Sequence, residues 1–189
     1  MIKDLAVCSP EIYHGVKMKS YISESNKEQT WIHKLIHDKH DEPILINQKE
    51  WLMCKNISPV YERLKYPSDM RYLIIFKDIN LKTVRDLRSN HVTLLHEIEL
   101  SVRKYLKQHH HHEAKSYELF FHYLPSVYQL HAHASTRKIC VNTSRRQHFH
   151  NVASNLENDT LYYDKCLFLT SICRNLKKNN IYNLLEEIK

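Results

Sequence analysis

YELFFHYLPSVYQLHAHAS, residues 117–135, reads as a strand over 117–124, a Pro-Ser corner, and a second strand over 128–135. Side chains alternate across a strand, so Gln129, His131 and His133 fall on one face, with about 3.3 Å of rise per residue. Leu130, Ala132 and Ala134 fall on the other face, are apolar, and suit a packed sheet. A neutral imidazole is a nucleophile toward phosphorus and forms a phosphoramidate that water can cleave. A second histidine two residues on can hydrogen-bond a phosphate oxygen or the leaving group. The ordinary histidine pKa of about 6.5 keeps both protonation states accessible near neutrality. Two other readings fit the same alternation: a solvated strand face, and a His-x-His pair chelating zinc or iron.

A chain of 189 residues suffices for one domain with a real core and is too short for two large ones. A hydrophobic fraction of 42% with 10% aromatics fits a globular chain and excludes disorder. The formal charge of +7 favours an anionic partner, but Lys and Arg are spread along the chain. No block of basic residues interleaved with aromatics marks a nucleic-acid groove. Cys8, Cys54, Cys140, Cys166 and Cys173 make no C-x-x-C pair, and an odd, irregular set points to reduced thiols inside a cell. Met1 leads into no signal peptide, and no run reaches membrane-spanning length, so the N-x-S/T triplets at Asn56, Asn142 and Asn158 are read as accidental. Gly15 is the one glycine, which removes every Gly-rich phosphate loop from consideration; phosphate must be held by side chains and strand-end amides.

Residues 1–24 show no strong pattern and read as a short arm or edge strand. Ser25 and Glu28 have capping-box spacing, and Trp31, Ile32, Leu35 and Ile36 follow at helical spacing, giving a helix over about 26–38. ILIN (44–47), WLMCKN (51–56) and RYLIIFK (71–77) read as strands, with a loop over 57–67. One helical turn is expected at 82–88. Asn90 then caps a helix whose stripe is Leu95, Ile98, Val102 and Leu106. QHHHHEA (108–114) ends it as a solvated loop, because consecutive residues point in different directions and do not converge on a metal. A helix near 147–157, a strand at 166–172 and a C-terminal helix through Ile181, Leu184, Leu185 and Ile188 complete the chain. Adjacent strands with short links imply an antiparallel sheet flanked by helices, a single α+β domain.

FHYLPSVYQLHAHAS resembles the signature of the histidine-triad (HIT) superfamily, and closely its scavenger mRNA-decapping branch, where a His-Tyr-Leu-Pro-Ser corner leads into alternating histidines. TWIHKL (30–35), SDMR (68–71), TVRDL (83–87) and NLEND (155–159) resemble further motifs of that branch in the same order, so the likeness covers roughly residues 28–175. It implies a HIT-like fold, with a catalytic domain over 26–189 behind an N-terminal arm of 1–25.

By this resemblance His131 is the nucleophile that attacks the phosphorus next to the capping nucleoside. His133 bonds phosphate oxygens and assists the departing diphosphate. Gln129 stands where the family has its first histidine, keeping hydrogen-bonding capacity but no titration. Trp31 matches the tryptophan that stacks on the methylated base, where an indole face attracts the positive ring; its helical spacing with Leu35 also suits a core residue. Asp41 or Glu42 falls near the acid that reads the guanine edge. Asp69 and Arg71 match an acid and a base at ribose and phosphate, with Ser68 replacing a proline and Arg71 a lysine. Ser126 is a phosphate donor from the corner. Arg146 resembles a second phosphate-binding base, with a solvated Arg145–Arg146 pair as the other reading.

The resemblance implies a hydrolase of short 7-methylguanosine-capped RNA remnants or cap dinucleotide that needs no metal or other cofactor. It also implies a homodimer, with no membrane or DNA partner, acting inside the cell in cytoplasm and nucleus. Family members carry an N-terminal domain that closes over the site, and only about two dozen residues precede the core here. Two alternatives follow: a general nucleotide hydrolase acting on dinucleoside polyphosphates or phosphoramidates, and a non-catalytic cap- or nucleotide-binding module.

Overall fold

A computed structural model describes residues 3–28, 30–37, 43–56, 71–109, 117–136 and 146–173. In chain order these form β1 (Lys3–Cys8), α1 (Pro10–His14), α2 (Val16–Glu28), α3 (Thr30–Ile36), β2 (Ile44–Asn47), β3 (Trp51–Lys55) and β4 (Arg71–Phe76). Two short 3-10 turns, Val84–Asp86 and Ser89–His91, lead into α4 (Val92–His109). Then follow β5 (Tyr117–His122), β6 (His131–Thr136), β7 (Arg146–His148), α5 (Phe149–Asn158), α6 (Tyr162–Lys165) and β8 (Phe168–Cys173). The expected 57–67 loop, His110, His111 and His112 of the QHHHHEA run, and the C-terminal helix lie outside the described residues.

Six strands make one antiparallel sheet in the order β2-β3-β4-β6-β5-β7, and helices lie against it, so the chain is α+β. Register assigns each side chain to a face. Trp51 and Met53 of β3, Tyr72, Ile74 and Phe76 of β4, Ala132 and Ala134 of β6, and Tyr117, Leu119 and Phe121 of β5 share the first face. They form one buried cluster with Leu95, Ile98, Val102 and Leu106 of α4 and with Phe149, Val152, Ala153 and Leu156 of α5. The α4 stripe is fully buried, as its spacing predicts. Each such side chain contributes about 1.5–3 kcal/mol by leaving water.

The second face is divided. Over β3 and β4 it is apolar: Leu52, Cys54, Leu73 and Ile75 pack against Ile32 and Leu35 of α3. This is why RYLIIF shows no alternation; the strand is buried on both sides. Over β6, β5 and β7 the same face carries His131, His133, Ser135, Glu118, Phe120, His122, Arg146 and His148. A helix covers half of this face, and chemistry-bearing side chains occupy the rest.

The N-terminal residues do more than edge a sheet. β1 pairs antiparallel with β8, from Lys3 opposite Cys173 to Cys8 opposite Phe168, in a separate two-stranded ribbon. Pro10 opens α1 behind Ser9, whose hydroxyl accepts from Ile12 N–H at 3.4 Å. Tyr13 and Met18 are buried in the main cluster, with Tyr21 and Ile22 packed against it. The capping-box reading of Ser25 does not hold, since both Ser25 and Glu28 lie inside α2. Met18, Tyr21 and Ile22 have helical spacing, but over little more than one turn the signal is too short to stand out.

Asn90 is likewise not the cap of α4. It sits within the turn Ser89–His91, and Arg88 N–H donates to His91 Nδ1 at 2.9 Å instead. The turn at 84–86 is capped: Arg85 N–H donates to Thr83 Oγ1, and Asp86 Oδ2 accepts from Thr83 N–H at 2.7 Å.

That turn delivers Arg85 into the interior, fully buried. Its guanidinium donates to Cys8 O at 2.7 Å, Tyr163 O at 2.9 Å, Asp164 O at 3.0 Å and Tyr123 Oη at 2.7 Å. Its carbon lies 4.7 Å from the Phe168 ring centre, 5.1 Å from that of Tyr123 and 5.5 Å from that of Tyr13. One cation thus joins the β1–β8 ribbon to the turn that precedes α4 and to the end of β5.

Candidate active site

β6 begins at His131, three residues later than the expected strand. The chain crosses from the Pro-Ser corner and is pinned before the strand starts, because Leu130 N–H donates to Leu81 O at 2.8 Å and Leu130 O accepts from Phe76 N–H at 3.0 Å. Gln129 therefore precedes the strand. Its amide nitrogen, 1% exposed as a residue, bonds Phe76 O at 2.7 Å and Asp78 O at 2.8 Å. Two imidazoles, not three side chains, remain in line on the strand face.

His131 is buried, with Nδ1 at 2.8 Å from the main-chain carbonyl of Gln129. A carbonyl only accepts, so Nδ1 carries the proton and Nε2 keeps its lone pair. Burial pushes the His131 pKa down, while the bond to Gln129 pulls it up by less. Burial thus favours the neutral imidazole, with the lone pair on Nε2.

His133, half-buried, stacks on Phe120 at 5.4 Å and 17°. Its ring centre is 4.5 Å from His122 and 5.3 Å from His131. Three imidazoles are thus grouped on one face. Among the described residues no group of three or more His, Cys, Asp or Glu is placed to hold a metal ion.

Arg71 shares this face: it pairs with Ser135, which pairs with Glu118 across β5. That row lies two residues along the strands from His133, about 6.6 Å. Arg71 is buried, an ordinary site for a guanidinium only where it is bonded.

Arg146 sits opposite His122 on the edge strand. Its guanidinium carbon lies 4.4 Å over the Phe120 ring, and Nη1 donates to Glu118 Oε2 at 2.8 Å. Phe120 is thus flanked by the Arg146 cation and the His133 ring. The solvated-pair reading of Arg146 fails, because this side chain is buried and ion-paired.

Ser126 is exposed in the corner, and Trp31 is 42% exposed on α3. Ile32 and Leu35 are the core residues of that helix, so Trp31 is not one of them. It stands on the helix that covers the neighbouring half of the histidine face. Tyr21 of α2 meets Tyr128 of the corner edge-to-face at 5.7 Å. Asp41, Glu42 and Asp69 lie outside the described residues.

Phe120, His122 and Glu118 went unread in the sequence as members of this face. The alternation rule that singles out His131 and His133 would have found them in YELFFH, had the two strands been paired. No helix among the described residues is long and apolar enough to cross a membrane.

A family model described as "Scavenger mRNA decapping enzyme C-term binding" matches residues 29–157. No curated protein sequence matches the chain. Among solved structures, a histidine triad protein from Clostridium difficile is 14% identical, with a TM-score of 0.48, covering 60% of this chain and 94% of its own. The aprataxin ortholog Hnt3 from Schizosaccharomyces pombe is 15% identical, with a TM-score of 0.42, covering 84% of this chain and 90% of its own. Hnt3 in complex with DNA and guanosine is 16% identical, with a TM-score of 0.43, covering 87% and 95%. With a matched segment of more than half its length, holding α3, the sheet and the histidine strand, this chain belongs to the family of the C-terminal domain of scavenger mRNA-decapping enzymes.

Proposed function

We propose that this protein hydrolyses the 5′-5′ triphosphate bridge of short 7-methylguanosine-capped RNA remnants or of cap dinucleotide. The observation that carries this reading is His131: a buried imidazole whose Nδ1–H donates to Gln129 O, which leaves the lone pair on Nε2 as the attacking atom. Nε2 attacks the phosphorus next to the methylated nucleoside. An N–P bond forms, the P–O bond to the diphosphate breaks, and the diphosphate leaves. Water then attacks the nucleotidyl-histidine, giving 7-methylguanosine monophosphate and free His131. His133 hydrogen-bonds the phosphate and the departing oxygen.

Arg71 and Ser126 are the proposed phosphate contacts, with Asp69 at the ribose and Asp41 or Glu42 at the base edge. Arg146, ion-paired with Glu118 through Nη1, is the second proposed phosphate-binding base. The working unit is a homodimer in cytoplasm and nucleus, with no metal, membrane or DNA taking part.

The test is incubation of the protein with methylated cap dinucleotide and its unmethylated twin, in EDTA, beside His131→Asn. Release of methylated monophosphate by the wild type alone supports the proposal. Equal cleavage of both twins would replace it with a general nucleotide hydrolase. Binding without cleavage would replace it with a binding module.

Two further results are expected. Trp31→Ala weakens binding of the methylated twin by about 2- to 30-fold, the equivalent of a stacked cation worth 0.5–2 kcal/mol. Fluorescence titration checks this; an unchanged dissociation constant would remove Trp31 from the base site. The acid limb of kcat/KM lies below about pH 6.5, because the folded state holds His131 below its ordinary pKa. The sign for stability follows: as pH falls below 6.5 the unfolded chain takes up this proton first, so the His131 contribution becomes destabilising only there. A limb at or above 6.5 would show that His131 is not held neutral.

A further inference from the structure

Phe76 O and Asp78 O, at and just beyond the end of β4, converge on one donor atom, Gln129 Nε2, at 2.7 and 2.8 Å. The pattern asks for two hydrogens on one nitrogen. A primary amide supplies them at every pH. An imidazole nitrogen carries at most one, so a histidine at this position could not satisfy both carbonyls from a single atom. The reverse orientation of the amide would set its oxygen against two carbonyl oxygens, which fixes the assignment. Gln129 Oε1 finds no donor among the described residues, so the side chain works here as a donor alone.

Four hydrogen bonds then hold residues 129–130: the two from the amide, Leu130 N–H to Leu81 O at 2.8 Å, and Phe76 N–H to Leu130 O at 3.0 Å. The main-chain carbonyl at the centre of this clamp accepts from His131 Nδ1 at 2.8 Å.

We propose that Gln129 is a positioning residue: by bridging Phe76 O and Asp78 O, its amide fixes its own carbonyl against His131 Nδ1 and so holds the nucleophile in the tautomer that presents Nε2. The clamp does not titrate, so it acts wherever His131 is neutral. The consequence for turnover rests on the function proposed above. The consequence for the tautomer does not.

The first readout is the ring-nitrogen NMR signature of His131 in the whole protein, assigned by its loss in His131→Asn. Expected is protonated Nδ1 and unprotonated Nε2 across the neutral range. An Nε2–H tautomer or a mixture in the wild type overturns the proposal, whatever any variant does.

The second readout is Gln129→Met, which keeps length and burial and removes both donors. Expected is a mixed His131 tautomer and a kcat lower by about 10- to 100-fold at nearly constant KM, the effect of a slightly misplaced reacting group. Wild-type tautomer and kcat in Gln129→Met would reduce Gln129 to packing and overturn the proposal. Should that variant fail to fold, Gln129→Leu, which likewise removes both donors, serves in its place, with the same loss expected and the same retention overturning. A wild type with the Nδ1–H tautomer and no cap hydrolysis would support the clamp while removing the proposed function. Hydrolysis by a wild type with the other tautomer would do the reverse.

Discussion

His131→Asn is expected to lower turnover of methylated cap dinucleotide by about 10⁴-fold or more, because the proposed nucleophile is lost and no nucleotidyl-enzyme can form. Binding should stay near the wild-type value, since the proposed holding groups, Trp31, Arg71 and Ser126, are untouched. Asn is close in size to the imidazole it replaces and can still donate to Gln129 O, so the fold has no reason to fail. Single-turnover assays with acid quench check this, following both the monophosphate and a protein-bound nucleotide. Turnover within tenfold of the wild type would move the nucleophile elsewhere, and His133 and His122 would be the next imidazoles to replace. The cost is large because the alternative, direct attack by water, finds no general base in the place that His131 occupies.

The second large effect is on stability. Arg85→Met should lower the unfolding free energy by about 3–5 kcal/mol, because it strands several buried acceptors that each cost about 1–3 kcal/mol when unbonded. Those acceptors are Cys8 O, Tyr163 O, Asp164 O and the Tyr123 hydroxyl. Loss of the cation also removes its contacts with the Phe168, Tyr123 and Tyr13 rings. Against a total stability of about 5–15 kcal/mol, this is enough to unfold a marginal domain at 37 °C. Denaturant titration gives the number, and amide exchange should show the β1–β8 ribbon opening first. A midpoint shift worth less than about 1 kcal/mol would mean that the ribbon is held by contacts other than those of Arg85. Arg85 lies in TVRDL, one of the stretches that resemble the family motif, and its work in the described structure is to tie the end of β1 and the α6 segment before β8 to the core.

What could be read from the sequence was what depends on near neighbours. The apolar run RYLIIFK read as a buried strand, and β4 is one. The stripe Leu95, Ile98, Val102 and Leu106 could only face a core, and all four are fully buried. His131 and His133 share a strand face because alternation leaves no other choice, and the ordered motifs around them carried the family.

The tertiary structure decided what depends on distant partners. Gln129 falls outside its strand because carbonyls some fifty residues earlier capture its amide. Arg146 gives its charge to Glu118, twenty-eight residues back, across the ring of Phe120. β1 has no local reason to be a strand and becomes one by pairing with β8 at the other end of the described chain. Periodicity is set within a turn or a few residues of strand. The partner of a charge, an amide or a strand edge is set by which surfaces meet when the sheet closes.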